Sequence, residues 1–380
     1  MTEPRSPVPE TITVHELVER SATAGLEFQR EDGSFPPGHN TVYEDRETPV
    51  RSTSHWLAIL SKAYEITGED RFLEAAADAA DYLLLEVNRP GGHTFLARES
   101  DDRDQCNGLV GQSAPIKGLV RGARVLDRDD LLATATDVFS LHPFDPELGL
   151  WERVEVDGTV ISFDRTLNHQ ALFAARATPL AKESPHVKEE ISSFLDALPR
   201  NMELHEDGVI KHYIRPPPSQ TLSAATNARR HWRLLWNELV YHYHSRSSDR
   251  RKKEVSYQAV NLSAWAALKR HSPDHPTWDT RPVEKALSYV ESEEFVQEYR
   301  DNDSRFASMN PGMGIARALI AFDRDRNLAS EWLAYDIYSV FDFETDLYSR
   351  NAPDPMFRAA SLSGILDLPN VELERTDRAP

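Results

Sequence analysis

Cysteine is almost absent from this chain of 380 residues, which holds only Cys106. One thiol forms no internal disulfide and builds no cysteine metal site. A lone cysteine is more often a small buried hydrophobe than a nucleophile. Lysine is scarce as well, with 9 residues against 34 arginines. Long apolar runs are missing, and no stretch approaches the ~18–20 residues that cross a bilayer as a helix. The opening MTEPRSPVPETITVHELVER has no apolar core of the kind a secretory leader carries. These absences predict a cytoplasmic protein without a transmembrane segment.

Acidic residues are abundant, with 62 Asp and Glu giving a formal net charge of -19. They are dispersed along the chain rather than gathered in a tail. A dispersed acidic surface with little lysine fits a protein kept soluble at high salt, where self-repulsion is screened. An ordinary acidic cytosolic protein is the alternative, and the high-salt reading is the one favoured. Nucleic acid is an unsuitable partner, because phosphate binding needs a basic patch. The densest one, Arg250-Arg251-Lys252-Lys253, reads more simply as a solvated helix start or loop.

The dominant pattern is a repeated pair of helices. One member starts polar and turns apolar, and its partner is amphipathic and charged. SHWLAILSKAYEITG, from Ser54, stops at Gly68 and is followed by RFLEAAADAADYLLLEV. Further pairs start at Asn107, Asn168, Tyr257 and Asn310, and a last single helix starts at Met356. An unpartnered helix near Thr13–Gln29 can close a circle against that last one. Most starts lie 46 to 61 residues apart. The expected fold class is all-α, an (α/α)6 toroid of helical hairpins with short β-hairpins at the cleft rim. It would form one domain over residues 1–380, with an excursion at 202–255. The excursion would hold a hairpin in GVIKHYIRPPP and a helix near Asn227–His244. An open α-solenoid is the alternative. VEVDGTVIS, Val154 to Ser162, reads as a hairpin turning at its Asp-Gly pair.

In such a ring the inner helices start at one rim, where their N–H groups favour anions. The segments there are polar and aromatic. Arg51 can grip a carboxylate, His55 can act as acid or base, and Trp56 can stack on a sugar face. A Ser/Thr cap with a core Trp accounts for the same residues structurally. Arg98, Asp104, Asn107 and Gln112 supply hydrogen-bonding groups at the second inner start. Trp151, Glu152, Arg153, Asp164, Arg165, Asn168 and His169 crowd into nineteen residues at the third. An Asp and a His beside an Arg suit acid–base work on an anionic substrate. On the segment His212-Tyr213-Ile214-Arg215, Tyr213 and Arg215 share one face of a strand. Tyr257 and Asn261 share a helix face, and Asp354 and Arg358 frame the last helix. No metal motif is convincing, since His242 and His244 are not neighbours on a helix. Neither a Gly-rich phosphate loop nor a GxSxG elbow occurs. No cofactor is expected.

VRSTSHWLAILSKAYEITGEDRFLEAAADAADYLL, DQCNGLVGQSAPIKGL, LHPFDPELGLWERVEVDG and SFDRTLNHQ resemble the AglQ-type proteins of archaeal glycosylation clusters. The resemblance runs from about Asp32 to Ser363. The hairpin ring is more distantly similar to the glucuronyl C5-epimerase C-terminal domain, the N-acylglucosamine 2-epimerases and the unsaturated glucuronyl hydrolases. It implies a role in assembling the N-linked glycan of surface-layer glycoprotein, at a hexuronic-acid step. Its substrate would be a sugar nucleotide, lipid-linked sugar or oligosaccharide containing hexuronic acid.

Three readings of activity follow. In an epimerase or isomerase, His55, His169 and Tyr213 are the proton-transfer candidates. Arg51, Arg153 and Arg165 would clamp the carboxylate, and Trp56 and Trp151 would stack on the ring. Arg98, Asn107, Gln112, Asn168, Tyr257, Asn261 and Arg358 would add binding contacts. A glycoside hydrolase or lyase would instead use Asp104 and Asp164 as its carboxylate pair. A non-catalytic glycan-binding protein is the third.

Overall fold

The computed structural model describes residues 8–40, 45–100, 103–214, 248–303, 311–352 and 354–376. Its helices begin and end where the chain supplies caps. Helix α1 (Val14–Gly25) opens on a capping box in which Thr13 and Glu16 satisfy each other's backbone N–H groups. Helix α2 (Pro49–Thr67) is capped by Thr48, starts on Pro49 and stops at Gly68 in the left-handed region. It therefore begins five residues before the expected Ser54, so Arg51 to Trp56 lie on helix. Helices α3 (Asp70–Leu84), α4 (Gly108–Leu126), α5 (Asp129–Ser140), α6 (Leu167–Ala177) and α7 (Pro185–Asn201) follow in hairpin order.

Helix α8 (Ser248–His271) takes up the Arg-Arg-Lys-Lys run and starts well before Tyr257. After it come α9 (Arg281–Val290), α10 (Glu293–Arg300), α11 (Gly312–Ala321), α12 (Arg326–Val340) and the short α13 (Pro355–Ala360). A 3-10 turn, Ser361–Ile365, continues α13 inward.

The inner elements close on themselves. Helix α2 packs on α4, α4 on α6, α6 on α8 and α8 on α11. Helix α11 meets the Ser361–Ile365 turn, which returns to α2. This is a closed cycle of six, so the fold is the (α/α)6 toroid rather than an open solenoid. The chain ends tie the outer layer shut. Strand β1 (Thr11–Thr13) pairs antiparallel with β9 (Glu372–Glu374), Ile12 opposite Leu373, and α1 packs on α2.

The remaining strands are short and sit between helices. They are β2 (His39–Asn40) with β3 (Asp45–Arg46), β4 (Phe144–Asp145) with β5 (Leu150–Val154) and β6 (Val160–Phe163), and β7 (Phe341–Asp342) with β8 (Leu347–Tyr348). The β5–β6 pair is the hairpin expected around Asp157-Gly158. Of the expected hairpin in GVIKHYIRPPP, residues 215–218 lie outside the described residues, and the described part follows a turn at Asp207-Gly208. Ile210 bridges Leu204, and Tyr213 bridges Thr166 at the start of α6. Arg215 and the expected helix near Asn227–His244 lie outside the described residues.

A continuous apolar core fills the space between inner and outer helices. Trp56, Trp151, Trp265 and Trp332 are all fully buried in it. Trp56 stacks on Phe35 at 5.1 Å between ring centroids, and Gly25 lies flat against the Trp56 ring, where a Cβ would sit at 2.3 Å.

Candidate functional site

The N-terminal ends of α4, α6 and α8, with the start of α13, surround a cleft of about 710 Å³. Its floor is positioned by a device repeated around the ring. Near the start of α4, Gln112 accepts from Phe95 N–H (2.7 Å) and donates to the Phe95 and Cys106 carbonyls. On α6, Gln170 accepts from Trp151 N–H (3.0 Å) and donates to the Trp151 and Asp164 carbonyls. On α8, Gln258 accepts from Ile210 N–H (2.8 Å) and donates to the Gly208 and Ala286 carbonyls. Each glutamine pins the incoming rim segment by satisfying buried backbone groups that would otherwise be orphaned.

Those pinned segments deliver Asp164 and His169 to the cleft. His169 Nδ1 lies 2.8 Å from Asp164 Oδ2. Asp164 is buried, and also accepts from Leu109 N–H and Thr166 N–H, each at 3.1 Å. Burial alone would raise its pKa. His169, then Arg153, then the Thr166 N–H overcome that and hold the carboxyl well below the usual carboxylate range. A carboxylate on Nδ1 fixes the ring and leaves Nε2 as the nitrogen able to meet a ligand. Gly108 makes the arrangement possible. A Cβ there would fall 2.5 Å from Asp164 Oδ2, and its φ of +57° suits glycine.

Around this pair the cleft is cationic. Arg51, Arg98, Arg103, Arg153, Lys253, Arg350 and Arg358 line it, against Asp104, Asp164 and Asp354. Arg153 donates to Asp104 (2.8 Å) and to Ser162 on β6 (2.8 Å), and Asp104 also pairs with Arg98 at 2.5 Å. The loop carrying Asp104 is held by Glu155, which accepts from the Gln105 and Cys106 N–H groups. Arg51 pairs with buried Glu47 at 2.7 Å and lies over the Phe357 ring. Asp354 caps α13, accepting from Phe357 N–H at 3.0 Å. Asn168 is buried at the cleft wall, and its Oδ1 has no hydrogen-bond partner among the described residues.

A second histidine, His212, faces the same cleft, edge-on to Tyr213 (4.8 Å) and Tyr257 (4.9 Å). Burial, then Lys253, pushes its pKa well below the ordinary imidazole value, so it is neutral at physiological pH. Its backbone N–H donates to Glu254 at 3.0 Å. The sequence displayed His212 beside Tyr213 but gave it no role. Its signal was its place opposite the start of α6, which only the Thr166–Tyr213 bridge reveals.

The cleft brings together Arg51, Arg98, Asp104, Asn107, Arg153, Asp164, Asn168, His169, Tyr213, Tyr257 and Arg358. Other expectations need correction. Trp56 and Trp151 are fully buried and have no face to offer a sugar, and Trp151 Nε1 donates to Glu190 at 2.9 Å. Gln112 is fully buried and spent on backbone groups. Asn261 is buried and donates to the Tyr257 carbonyl one turn back. His55 is not among the residues lining the cleft; it is half-buried, with Nδ1 2.8 Å from Ser363 Oγ, and desolvation together with Lys117 and Arg51 lowers its pKa. Arg165 does not line the cleft and donates to the Ile214 carbonyl. Burial pushes the Cys106 thiol far up, against a role as nucleophile. Among the described residues Asp207, Glu294 and Glu298 are close enough to share a cation, but Arg251 already bridges Asp207 and Glu298.

Fold and cleft together define a six-hairpin toroid with a cationic, histidine-bearing cleft at the N-terminal rim of its inner helices. Its architecture is similar to cellobiose 2-epimerase from Spirochaeta thermophila, with a TM-score of 0.59 and 12% identity over 93% of this chain and 95% of that one. It is also similar to a D-mannose isomerase, with a TM-score of 0.59 and 11% identity over 93% and 96%. An α-1,6-mannanase from a Salegentibacter species follows, with a TM-score of 0.54 and 10% identity over 93% and 98%. No family model matches the chain. In sequence it is 40% identical over 369 residues to archaeal glycosylation protein Q of Haloferax volcanii, covering 95% of this chain and 99% of that protein. The chain belongs to the archaeal glycosylation protein Q family.

Proposed function

We propose that this protein is a sugar-processing enzyme of N-linked glycan assembly, acting at a hexuronic-acid step with epimerase or isomerase chemistry. The observation that carries the reading is the charge of the cleft. Seven arginine or lysine side chains against three carboxylates line it, in a chain whose net charge is -19. Such a cleft suits an anionic sugar carried on a nucleotide, a lipid or an oligosaccharide. Membership of a glycosylation family supports the pathway. A single (α/α)6 domain working in the cytoplasm on glycan destined for surface-layer glycoprotein accords with this reading.

In the proposed reaction a proton leaves the carbon next to the sugar carboxylate and returns on the other face. His169, held by Asp164, and neutral His212 are the two transfer groups, with Tyr213 beside them. Arg153 and Arg358 stabilise the negative charge that develops on the carboxylate. Asn168 Oδ1 accepts from a ring hydroxyl.

A hydrolase reading is less favoured. Glycoside hydrolysis needs one carboxyl kept protonated. Asp164 is held ionised, and Asp104 has one oxygen on Arg98 and the other on Arg153.

The test is solvent exchange. Purified protein incubated with a hexuronate substrate in heavy water is expected to place deuterium on a ring carbon, and His169→Asn to abolish it. Absence of exchange with every hexuronate carrier tried would sink the epimerase reading. A full-length glycan in a deletion strain would sink the pathway.

A further inference from the structure

A second cavity of about 310 Å³ lies beneath the cleft, with Leu172 lining both. It sits among the C-terminal halves of the inner helices. Seven lysine or arginine side chains and one carboxylate, Asp367, line it. The mouth is exposed at Arg124 and Arg270, and the deep end holds Lys117, Arg176 and Arg317.

Asp367 cannot neutralise this set. It meets Arg121 at 3.1 Å, Arg317 at 3.5 Å and Arg270 at 3.7 Å, while Glu65 meets Arg121 of this set at 3.4 Å and is shared with Lys62 at 3.5 Å. Lys117 Nζ donates to the Ser363 carbonyl at 2.5 Å, and Arg317 Nη1 donates to Ser263 Oγ at 2.9 Å. Arg176 Nη1, Arg121 Nε and Arg317 Nε are buried with no hydrogen-bond partner among the described residues. Arg317 is only 6% exposed.

Helix C-termini favour cations, and Arg124, Arg176 and Arg270 stand in the last turns of α4, α6 and α8. That attraction does not supply acceptors for buried guanidinium N–H groups, whose desolvation stays uncompensated. Burial, then Arg317, pushes Arg176 down to about 10, and burial pushes Arg317 to about 10. Lys117 is lowered well below its ordinary value by burial and then by Arg176. An oxyanion with several acceptor oxygens would meet several of these donors at once.

We infer that the lower cavity is an anion site for a phosphate group, gripped by Arg176, Arg317 and Lys117 and distinct from the sugar cleft above it. The group could be free inorganic phosphate or the head of a phosphate monoester entering past Arg270.

Calorimetric titration with inorganic phosphate, at constant ionic strength made up with chloride, tests this. The expected result is saturable one-to-one binding, with phosphate raising the thermal unfolding midpoint. Arg176→Met is expected to weaken binding at least tenfold, and Arg153→Met in the upper cleft to leave it within twofold. Should Arg176→Met not fold, Arg270→Met at the mouth carries the same comparison, with a loss of about threefold. Methyl phosphate competing equally would mark an ester site, and failure to compete would mark a site for the free ion. Absence of saturable binding, equal binding of chloride, or a loss confined to Arg153→Met would overturn the proposal. None of these outcomes depends on the sugar reaction, so the two readings fail separately.

Discussion

Replacing Gly108 by alanine tests the Asp164–His169 arrangement directly. Gly108 has φ +57°, where an ordinary residue costs roughly 1–2 kcal/mol. The added methyl would also sit 2.5 Å from Asp164 Oδ2, against the 3.4 Å at which ordinary contact begins. Relief requires a shift of about 0.9 Å, enough to stretch the 2.8 Å bond to His169 beyond hydrogen-bonding range. Losing a bond to a charged partner costs about 1.5–3 kcal/mol, giving roughly 3–5 kcal/mol in all. Gly68 supplies the control. Its φ is +71°, and a Cβ there meets nothing within 4 Å. Gly68→Ala should therefore lose only the conformational part, about 1–2 kcal/mol. Urea denaturation of both variants measures the difference, and the low-field Nδ1–H resonance of His169 should vanish in Gly108→Ala alone. Equal losses, or a surviving resonance, would refute the claim that Gly108 is there to admit the carboxylate.

Acid should reveal the same carboxylate. Asp164 is held low, chiefly by His169 and Arg153 against the effect of burial, so the fold favours its ionised form. Its contribution is complete above the ordinary carboxylate range and drains away as pH falls below about 4 toward the folded value. Asp164→Asn should lose stability at pH 7, with the gap beginning to narrow below about pH 4 and closing only as pH falls through the folded value, so parallel curves of unfolding free energy against pH count against the assignment. Trp151→Ala should cost about 3–5 kcal/mol as a core deletion that also strips Glu190 of its indole donor, while the KM of the folded fraction stays put. A selective rise in KM would restore Trp151 to the binding face.

The ring was legible because hairpin order is written in local signals. Gly68, the Asp157-Gly158 turn and the spacing of polar starts each act within a few residues, whereas the cap Thr48 before Pro49 went unread and put the expected start of α2 five residues late. Much of the cleft was legible for a related reason. Once inner helices share a rim, Asp164, Asn168 and His169 at one start and Asp104 and Asn107 at the next must converge. The errors lie where one residue type serves two purposes. An amide near a helix start reads alike whether it binds a hydroxyl or pins a backbone loop, and Gln112 pins one. Alignment of the hairpins against each other would have set Gln112, Gln170 and Gln258 in equivalent places, a pattern that suits scaffolding better than specificity. A Trp in the rim-side part of an inner helix likewise reads as a sugar platform until its rotation about the helix axis is known. Trp56 turns outward, against Phe35 and Gly25, into the layer between the helices.

The placement of charge puts the attraction for an anion in the interior rather than on the surface. A net charge of -19 repels anions from the molecule as a whole, yet both cavities along the ring axis are lined by an excess of cations. Surface carboxylates act through water and salt, which screen them within about 10 Å at moderate ionic strength and about 3 Å at 1 M. Cations in a recessed cleft are screened less and keep their pull on a docked anion. Raising salt should therefore weaken the repulsion faster than the attraction. If the proposed acidic sugar is the ligand, its Kd should fall as salt is raised, the reverse of an exposed basic patch, and titration of binding against ionic strength checks it.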